Sequence, residues 1–282
     1  MRTIKAASLA VVVSSSSLAK AQVERNLANP LIAFDPYFSV WSMADNLTDQ
    51  ETKHWTGTDM PMHGLARVDG VTYGWLGREP RPAPAMKQSA LHVTPTQTEY
   101  TFQAAGVRLQ APFLSPSIAT DLDLLAQPVS YLTWNVSATD GRAHSVQLYL
   151  GIDAPIAVNS ADQQVTWRRS TPGSLKVLSV GSTEQRVLVR AGDNVRADWG
   201  YFHLVVPAGP QVTTSTSVAS PAEFLKAGTV PQDDDPDQPR EAGRAPLVAV
   251  AESLQLSPDQ TVERHVGLAF TQPFIIEYLE DA

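Results

Sequence analysis

The chain has 282 residues, a formal net charge of −8 and no cysteine. The acidic balance argues against nucleic acid and anionic membrane surfaces as partners. The lack of cysteine excludes thiol nucleophiles, thiolate zinc sites and disulfide staples, and a chain of this length buries roughly 70–75% of its unfolded surface, enough for a core without them.

Residues 1–21 read as a secretory signal. Arg2 and Lys5 give a basic start, Ala6 to Val13 a short apolar run, and Ala19-Lys20-Ala21 an A-x-A cleavage site before Gln22. The run is too short to span a bilayer, which needs about 20 apolar residues. An uncleaved tail is the alternative. Cleavage would remove three cations and no acid, leaving a charge of −11 on a secreted or periplasmic protein.

The segment from Asp35 to Gly57, DPYFSVWSMADNLTDQETKHWTG, is the densest in information. It begins as a strand, with Phe38 and Val40 on one face and Tyr37 and Trp41 on the other. Then Asp45, Asn46, Thr48 and Asp49 bring turn and cap chemistry, and His54-Trp55 follows. An aromatic-rich polar loop carried on a strand is where sites are commonly built. Trp41, Asp45, Asp49, Glu51, His54 and Trp55 are therefore the candidate substrate-binding or interface residues. They suit a small polar ligand such as a sugar or an amino-acid amide. The competing reading makes both tryptophans core and the acids merely solvated.

Beyond this point the chain reads as strands and turns. Leu65–Val68, Asp69-Gly70 and Val71–Trp75 predict a hairpin with a two-residue turn. Leu91–Thr94, Glu99–Gln103 and Val107–Leu114 follow. Val129–Ala138 alternates strictly and is expected to pair with His144–Asp153 across Asp140-Gly141. Gln163–Arg169, Leu175–Val180, Arg186–Arg190 and Tyr201–Val206 continue the pattern. Pro246–Leu256 and Thr261–Phe270 predict a last hairpin. Strict alternation implies sheets with one buried and one wetter face. Helix is scarce: Pro221–Ala227 fits one or two turns, with Ser220 as N-cap and Gly228 as stop. The acidic, proline-rich stretch 229–245 reads as a solvated loop. The expected architecture is all-β, a large antiparallel β-sandwich with a short N-terminal element and little helix. Its expected parts are a signal (1–21), an N-terminal segment (22–80) and the sandwich (81–282).

No catalytic set assembles. H-E-x-x-H, G-x-S-x-G, Walker and G-x-G-x-x-G patterns are absent. None of the six histidines (His54, His63, His92, His144, His203, His265) pairs with another at helical metal-ligand spacing. His203 and His265 read as hydrogen-bonded strand residues. Asp121 and Asp123 could share a strand face and do acid–base work or hold Ca²⁺, but a solvated turn is the simpler reading. The catalytic residues are thus unassigned, and no metal or cofactor is expected.

The Asp35–Gly57 segment resembles the N-terminal signature of the glutaminase A family. The resemblance continues through GLARVDGVTYGWLG (64–77), TEYTFQAAGVRL (98–109), PVSYLTWNVSATDGRAHSVQLYL (128–150), AVNSADQQVTW (157–167) and DWGYFHLVVPA (198–208), in the family's order. It implies a supersandwich-like β-sandwich followed by a longer helical α/α toroid that carries the catalytic residues, and hydrolysis of L-glutamine to L-glutamate and ammonia. This chain stops near Phe274 to Ala282, about where the family's sandwich hands over to the toroid. The implied role is a non-catalytic front portion that packs against the toroid and shapes its pocket, with no glutaminase activity of its own. Two other readings stay open: a free-standing carbohydrate-binding or glycoside-hydrolase-associated sandwich, and a small carboxylate hydrolase.

Overall fold

A computed structural model describes residues 26–78 and 83–273. The signal expectation falls outside the described residues. Of those described, 47% are in strands and 8% in helices, so the fold class is all-β, as an antiparallel sandwich. No helix among the described residues is long and apolar enough to cross a membrane.

The strands in chain order are β1 (Asn29–Ala33), β2 (Ser39–Ser42), β3 (Met62–Val68), β4 (Val71–Leu76), β5 (Lys87–Val93), β6 (Gln97–Ala104), β7 (Val107–Leu114), β8 (Val129–Ala138) and β9 (His144–Ile152). They continue with β10 (Gln164–Ser170), β11 (Leu175–Ser182), β12 (Tyr201–Pro207), β13 (Val212–Ser215), β14 (Arg240–Glu241), β15 (Val248–Leu256) and β16 (Thr261–Thr271). Two short helices, α1 (Leu122–Leu125) and α2 (Ser220–Ala227), interrupt them. β1 and β2 form a small ribbon. The two large sheets have the orders β14-β10-β11-β12-β16-β8-β7-β6-β5 and β13-β15-β9-β3-β4.

The Asp69-Gly70 hairpin forms as its turn chemistry requires: Asp69 has φ 48° and Gly70 φ 90°. The two longer predicted pairings do not form. β8 belongs to the nine-stranded sheet and β9 to the five-stranded one; β15 and β16 are divided the same way. Each connection crosses the sandwich instead of closing a hairpin. The apolar faces expected to lie side by side in one sheet therefore meet across the core, with Leu132, Trp134 and Val136 facing the side of Val146, Leu148 and Leu150. Alternation fixes which face of a strand is buried but not which sheet the strand joins.

Alternation survives in β6, β7 and β8, whose outer residues are wetter. It fails at the end of β9, where Leu148 to Ile152 are all buried. Helix α2 explains this: Phe224 packs against Tyr149 with tilted rings 5.0 Å apart and closes a second apolar cluster with Leu65, Val230, Leu247, Ala249 and Ala251. The five-stranded sheet is thus covered on both faces. Gly228 ends α2 in the left-handed region (φ 73°), but its N-cap is Ala219; Ser220 lies inside the first turn and donates from Oγ to Ser217 O instead.

Three local expectations change. Arg186–Arg190 is irregular, with Gln185 and Leu188 at positive φ, and leaves Leu188 and Val189 exposed. Asp121 and Asp123 share no strand face; the expected solvated turn is the short helix α1, which the exposed Asp121 caps by accepting from Leu124 N at 2.9 Å. Part of the acidic stretch 229–245 is docked. Arg240 binds Asp235 through two nitrogens, both at 3.1 Å, and lies over the Trp167 ring, whose Nε1 donates to Asp235 O. Arg240 and Glu241 then extend β10 as β14. An acid run is a solvated loop only when no cation and aromatic surface is positioned to hold it.

At one end of the sandwich, His144 joins its two layers. Its Nδ1 lies 2.7 Å from Asp69 in the β3–β4 turn and its Nε2 3.0 Å from Asp140 in the β8–β9 connection.

Candidate functional site

Several connections converge where β12 begins and β16 ends. Ala197 N donates to Tyr37 O at 2.9 Å, and Arg196 N to Asn159 Oδ1 at 2.9 Å. Tyr201 sits opposite Thr271. Gly200 is needed there: its φ is 101°, and a Cβ would fall 2.6 Å from the Thr271 carbonyl.

The 35–38 turn presents aromatics at this end. Asp35 Oδ1 accepts from Tyr37 N (2.7 Å) and Phe38 N (2.8 Å). Burial raises the Asp35 pKa, against the opposing effect of these hydrogen bonds. Phe38 turns inward and stacks on Phe270 at 4.4 Å, whereas Tyr37 remains 43% exposed. The Pro36 carbonyl, just before them in the turn, is shared: Trp55 Nε1 donates to it at 2.7 Å, and His54 Nε2 lies 3.1 Å away.

His54 is fully buried and Trp55 46% exposed, so adjacent residues divide the two readings of this loop between them. His54 Nδ1 lies 2.9 Å from Thr56 Oγ1. With Nε2 protonated toward Pro36 O, Nδ1 accepts from that hydroxyl, and both ring nitrogens of a neutral imidazole are satisfied. Burial, with Arg196's charge in addition, lowers the His54 pKa and favours the neutral form. His54 is a pin for the loop, and Trp55 is its presented surface.

Trp41 lies in β2, half-buried, with Nε1 donating to Ser39 Oγ. The three acids are tied elsewhere. Asp45 O accepts from Gln88 Nε2 of β5. Asp49 accepts from Asn46 N and Nδ2, closing its own turn. Glu51 lies by Gly77 and accepts from Arg78 N at 3.5 Å. Tertiary contacts thus hold His54 and Trp55 against the 35–38 turn, while Asp45 and Glu51 lean on β4 and β5. Among the described residues, no group of three or more His, Asp or Glu could hold a metal ion.

Sequence reading missed Arg196. Its guanidinium is half-buried, its Nε is buried without a hydrogen-bond partner, and it forms no ion pair among the described residues. Burial lowers its pKa. Nearby Asp198 is fully buried and is engaged by Arg190 Nε (2.9 Å) and Gln163 Nε2 (2.5 Å). Among the described residues, one arginine here is neutralised and the other is not. Nothing in the local sequence NVRADWG distinguishes Arg196, since its setting is made by Tyr37 and Asn159. The result is a surface with two partly exposed aromatics held rigidly beside a cation that has no ion-pair partner among the described residues. Such a surface can stack on apolar groups and receive an anion.

The family of the second, larger part is decided by its match to Domain of unknown function (DUF5127) over residues 96–282. The chain belongs to the DUF5127 family. Residues 4–86 match a second family, Domain of unknown function (DUF4964). The DUF5127 chain is homologous to Glutaminase A of Aspergillus oryzae, at 27% identity over 80% of this chain and 34% of that protein. It is also homologous to an Arthroderma benhamiae protein named "Probable glutaminase", at 24% identity over 88% of this chain and 31% of that protein. It therefore spans about a third of the length of these relatives. Among solved structures, one named "Putative kojibiose phosphorylase from human microbiome" aligns at 10% identity and a TM-score of 0.38, over 87% of this chain and 26% of that chain. A GalM/aldose epimerase homologue from C. elegans aligns with the same identity and score, over 87% of this chain and 99% of that one. Alignments at that level carry no functional argument.

Proposed function

We propose that this chain is the non-catalytic β-sandwich portion of an exported glutaminase A-like hydrolase, and that its Tyr37–Trp55–Arg196 face docks onto a helical toroid domain. The observation that carries this reading is Arg196. Its half-buried guanidinium meets no carboxylate among the described residues, a costly state unless a partner supplies one, and the flanking aromatics are typical interface anchors. Homology to glutaminases about three times as long supports it. On this reading the substrate is L-glutamine, and the toroid carries the chemistry.

The test is to mix residues 22–282 with the separately expressed remaining portion of Aspergillus oryzae Glutaminase A and to follow association by calorimetry. Association is expected, and it should weaken on Trp55→Ala and on Arg196→Ala with little change in the melting of this chain. The chain alone should not turn over glutamine. Turnover that survives purification and is lost on changing Asp45 or Asp49 would instead favour a small hydrolase. Capture of a glycan by the Trp55 face, with no association, would favour a carbohydrate-binding module.

A further inference from the structure

The outer face of the nine-stranded sheet carries a hollow of about 350 Å³ lined by Thr166, Trp167, Arg168, Ser179 and Tyr201. Strand register builds it from two neighbouring rows. In one, Arg168 lies opposite Ser179 and Ser179 opposite His203. In the other, Thr166 lies opposite Gly181, Gly181 opposite Tyr201, and Tyr201 opposite Thr271. Residues two apart on a strand share a face, so both rows present side chains on the same side.

The floor of the hollow is polar and ordered. Ser179 is only 2% exposed although it lies on the outer side of its strand. Its Oγ is 2.8 Å from His203 Nδ1, and His203 Nε2 is 2.7 Å from Thr271 Oγ1. This hydrogen-bonded chain crosses three adjacent strands. Gly181 shapes the wall: a Cβ there would stand 2.4 Å from the Tyr201 ring, so glycine lets the ring lie against β11.

Burial first, and Arg168's charge second, lower the His203 pKa and favour its neutral form. A neutral imidazole has one donor and one acceptor nitrogen. One flanking hydroxyl therefore donates to the ring while the other accepts from it, and the other tautomer reverses both. Ser179 can accordingly turn either a hydroxyl proton or a lone pair toward a ligand. Arg168 forms no ion pair among the described residues, and a guanidinium matches a carboxylate through two parallel hydrogen bonds.

We propose that this hollow binds a small organic carboxylate bearing further hydroxyl or amino groups. Arg168 takes the carboxylate, Ser179 and Thr166 take neighbouring polar groups, and the Tyr201 ring lies along the carbon skeleton. The site is on the sheet face and does not depend on docking through Trp55.

The experiment follows the His203 ring resonances of the full chain during titration with L-glutamate, D-glucuronate and, as the uncharged counterpart, D-glucose. Saturable shifts with a carboxylate are expected; L-glutamate alone would make the ligand an amino acid and D-glucuronate alone a sugar acid. Arg168→Ala should weaken binding about tenfold or more, the size expected for loss of a charged hydrogen-bonding partner. Arg168→Lys, which keeps the charge but not the fork, should fall between. Arg108→Ala, on β7 of the same sheet, should leave binding unchanged. The proposal is overturned if neither carboxylate gives a saturable shift up to about 10 mM, if D-glucose binds equally well, or if Arg108→Ala weakens binding as much as Arg168→Ala.

Discussion

Trp55 and Pro36 are joined by an indole N–H donating to a backbone carbonyl at 2.7 Å, across 19 positions of sequence. The bond fixes an aromatic ring at the surface without burying it. Trp55 is consequently ordered and still available to a partner, which neither a core residue nor a loose surface residue would be.

The first prediction follows from this. Trp55→Ala should lower the stability of the isolated chain by about 1 kcal/mol, the scale of one net hydrogen bond with modest packing. Trp134→Ala, which removes a fully buried ring from the core, should cost about 3–5 kcal/mol. Denaturant melts of the two variants make the comparison, and equal losses would return Trp55 to the core.

Glu252 and Arg264 bridge the two sheets, one from β15 and the other from β16. Burial raises the Glu252 pKa, and Arg264 opposes that shift. Arg264→Ala should cost about 2 kcal/mol at neutral pH, less than for a fully buried pair because its side chain is 40% exposed. Adding Glu252→Gln should recover part of the loss. A raised carboxylate pKa also means that the single variant regains stability as pH falls and Glu252 takes up its proton. Thermal melts across acidic and neutral pH test both statements.

The Asp69–His144–Asp140 group predicts a pH window. Hydrogen bonds to Asp140 and then Asp69 raise the His144 pKa above its ordinary 6.5, so this contribution is complete below 6.5 and is lost as pH rises through the folded value. The hydrogen bond with His144 lowers both aspartates below 3.8, so their contribution is present above 3.8 and is lost as pH falls through the folded values. The group should stabilise the chain most between these limits. His144→Ala should flatten the stability profile there relative to the parent, as read from chemical melts at stepped pH.

Gly64 offers a steric test of the packing between β3 and β4. A Cβ at Gly64 would lie 2.4 Å from the Trp75 indole and 2.7 Å from Leu76 Cβ. Gly64→Ala is expected to cost about 1–3 kcal/mol by overpacking. Gly74→Ala, where nothing lies within 4 Å, should change the melting temperature little.

Much of the fold was legible in the sequence because strand period, turn chemistry and burial are local. The alternation of Val129–Ala138, the Asp69-Gly70 turn and the Gly228 stop each identify their element from a few neighbouring residues. The Asp35–Gly57 signature and the ordered blocks after it were enough to point to glutaminase A relatives. Sheet membership was different. The apolar stripes of β8 and β9 fit side-by-side pairing and face-to-face packing equally well, and the partners that decide, β7 and β16 for one and β3 and β15 for the other, are spread over the chain. The site divides in the same way. The composition of the loop nominated His54 and Trp55, but only tertiary contact with Pro36 made one a buried pin and the other a surface. Among the described residues Arg196 has no ion-pair partner, because the fold gave Arg190, not Arg196, to Asp198. Side-chain chemistry is written residue by residue; desolvation and charge pairing depend on which distant residues the folded chain brings together.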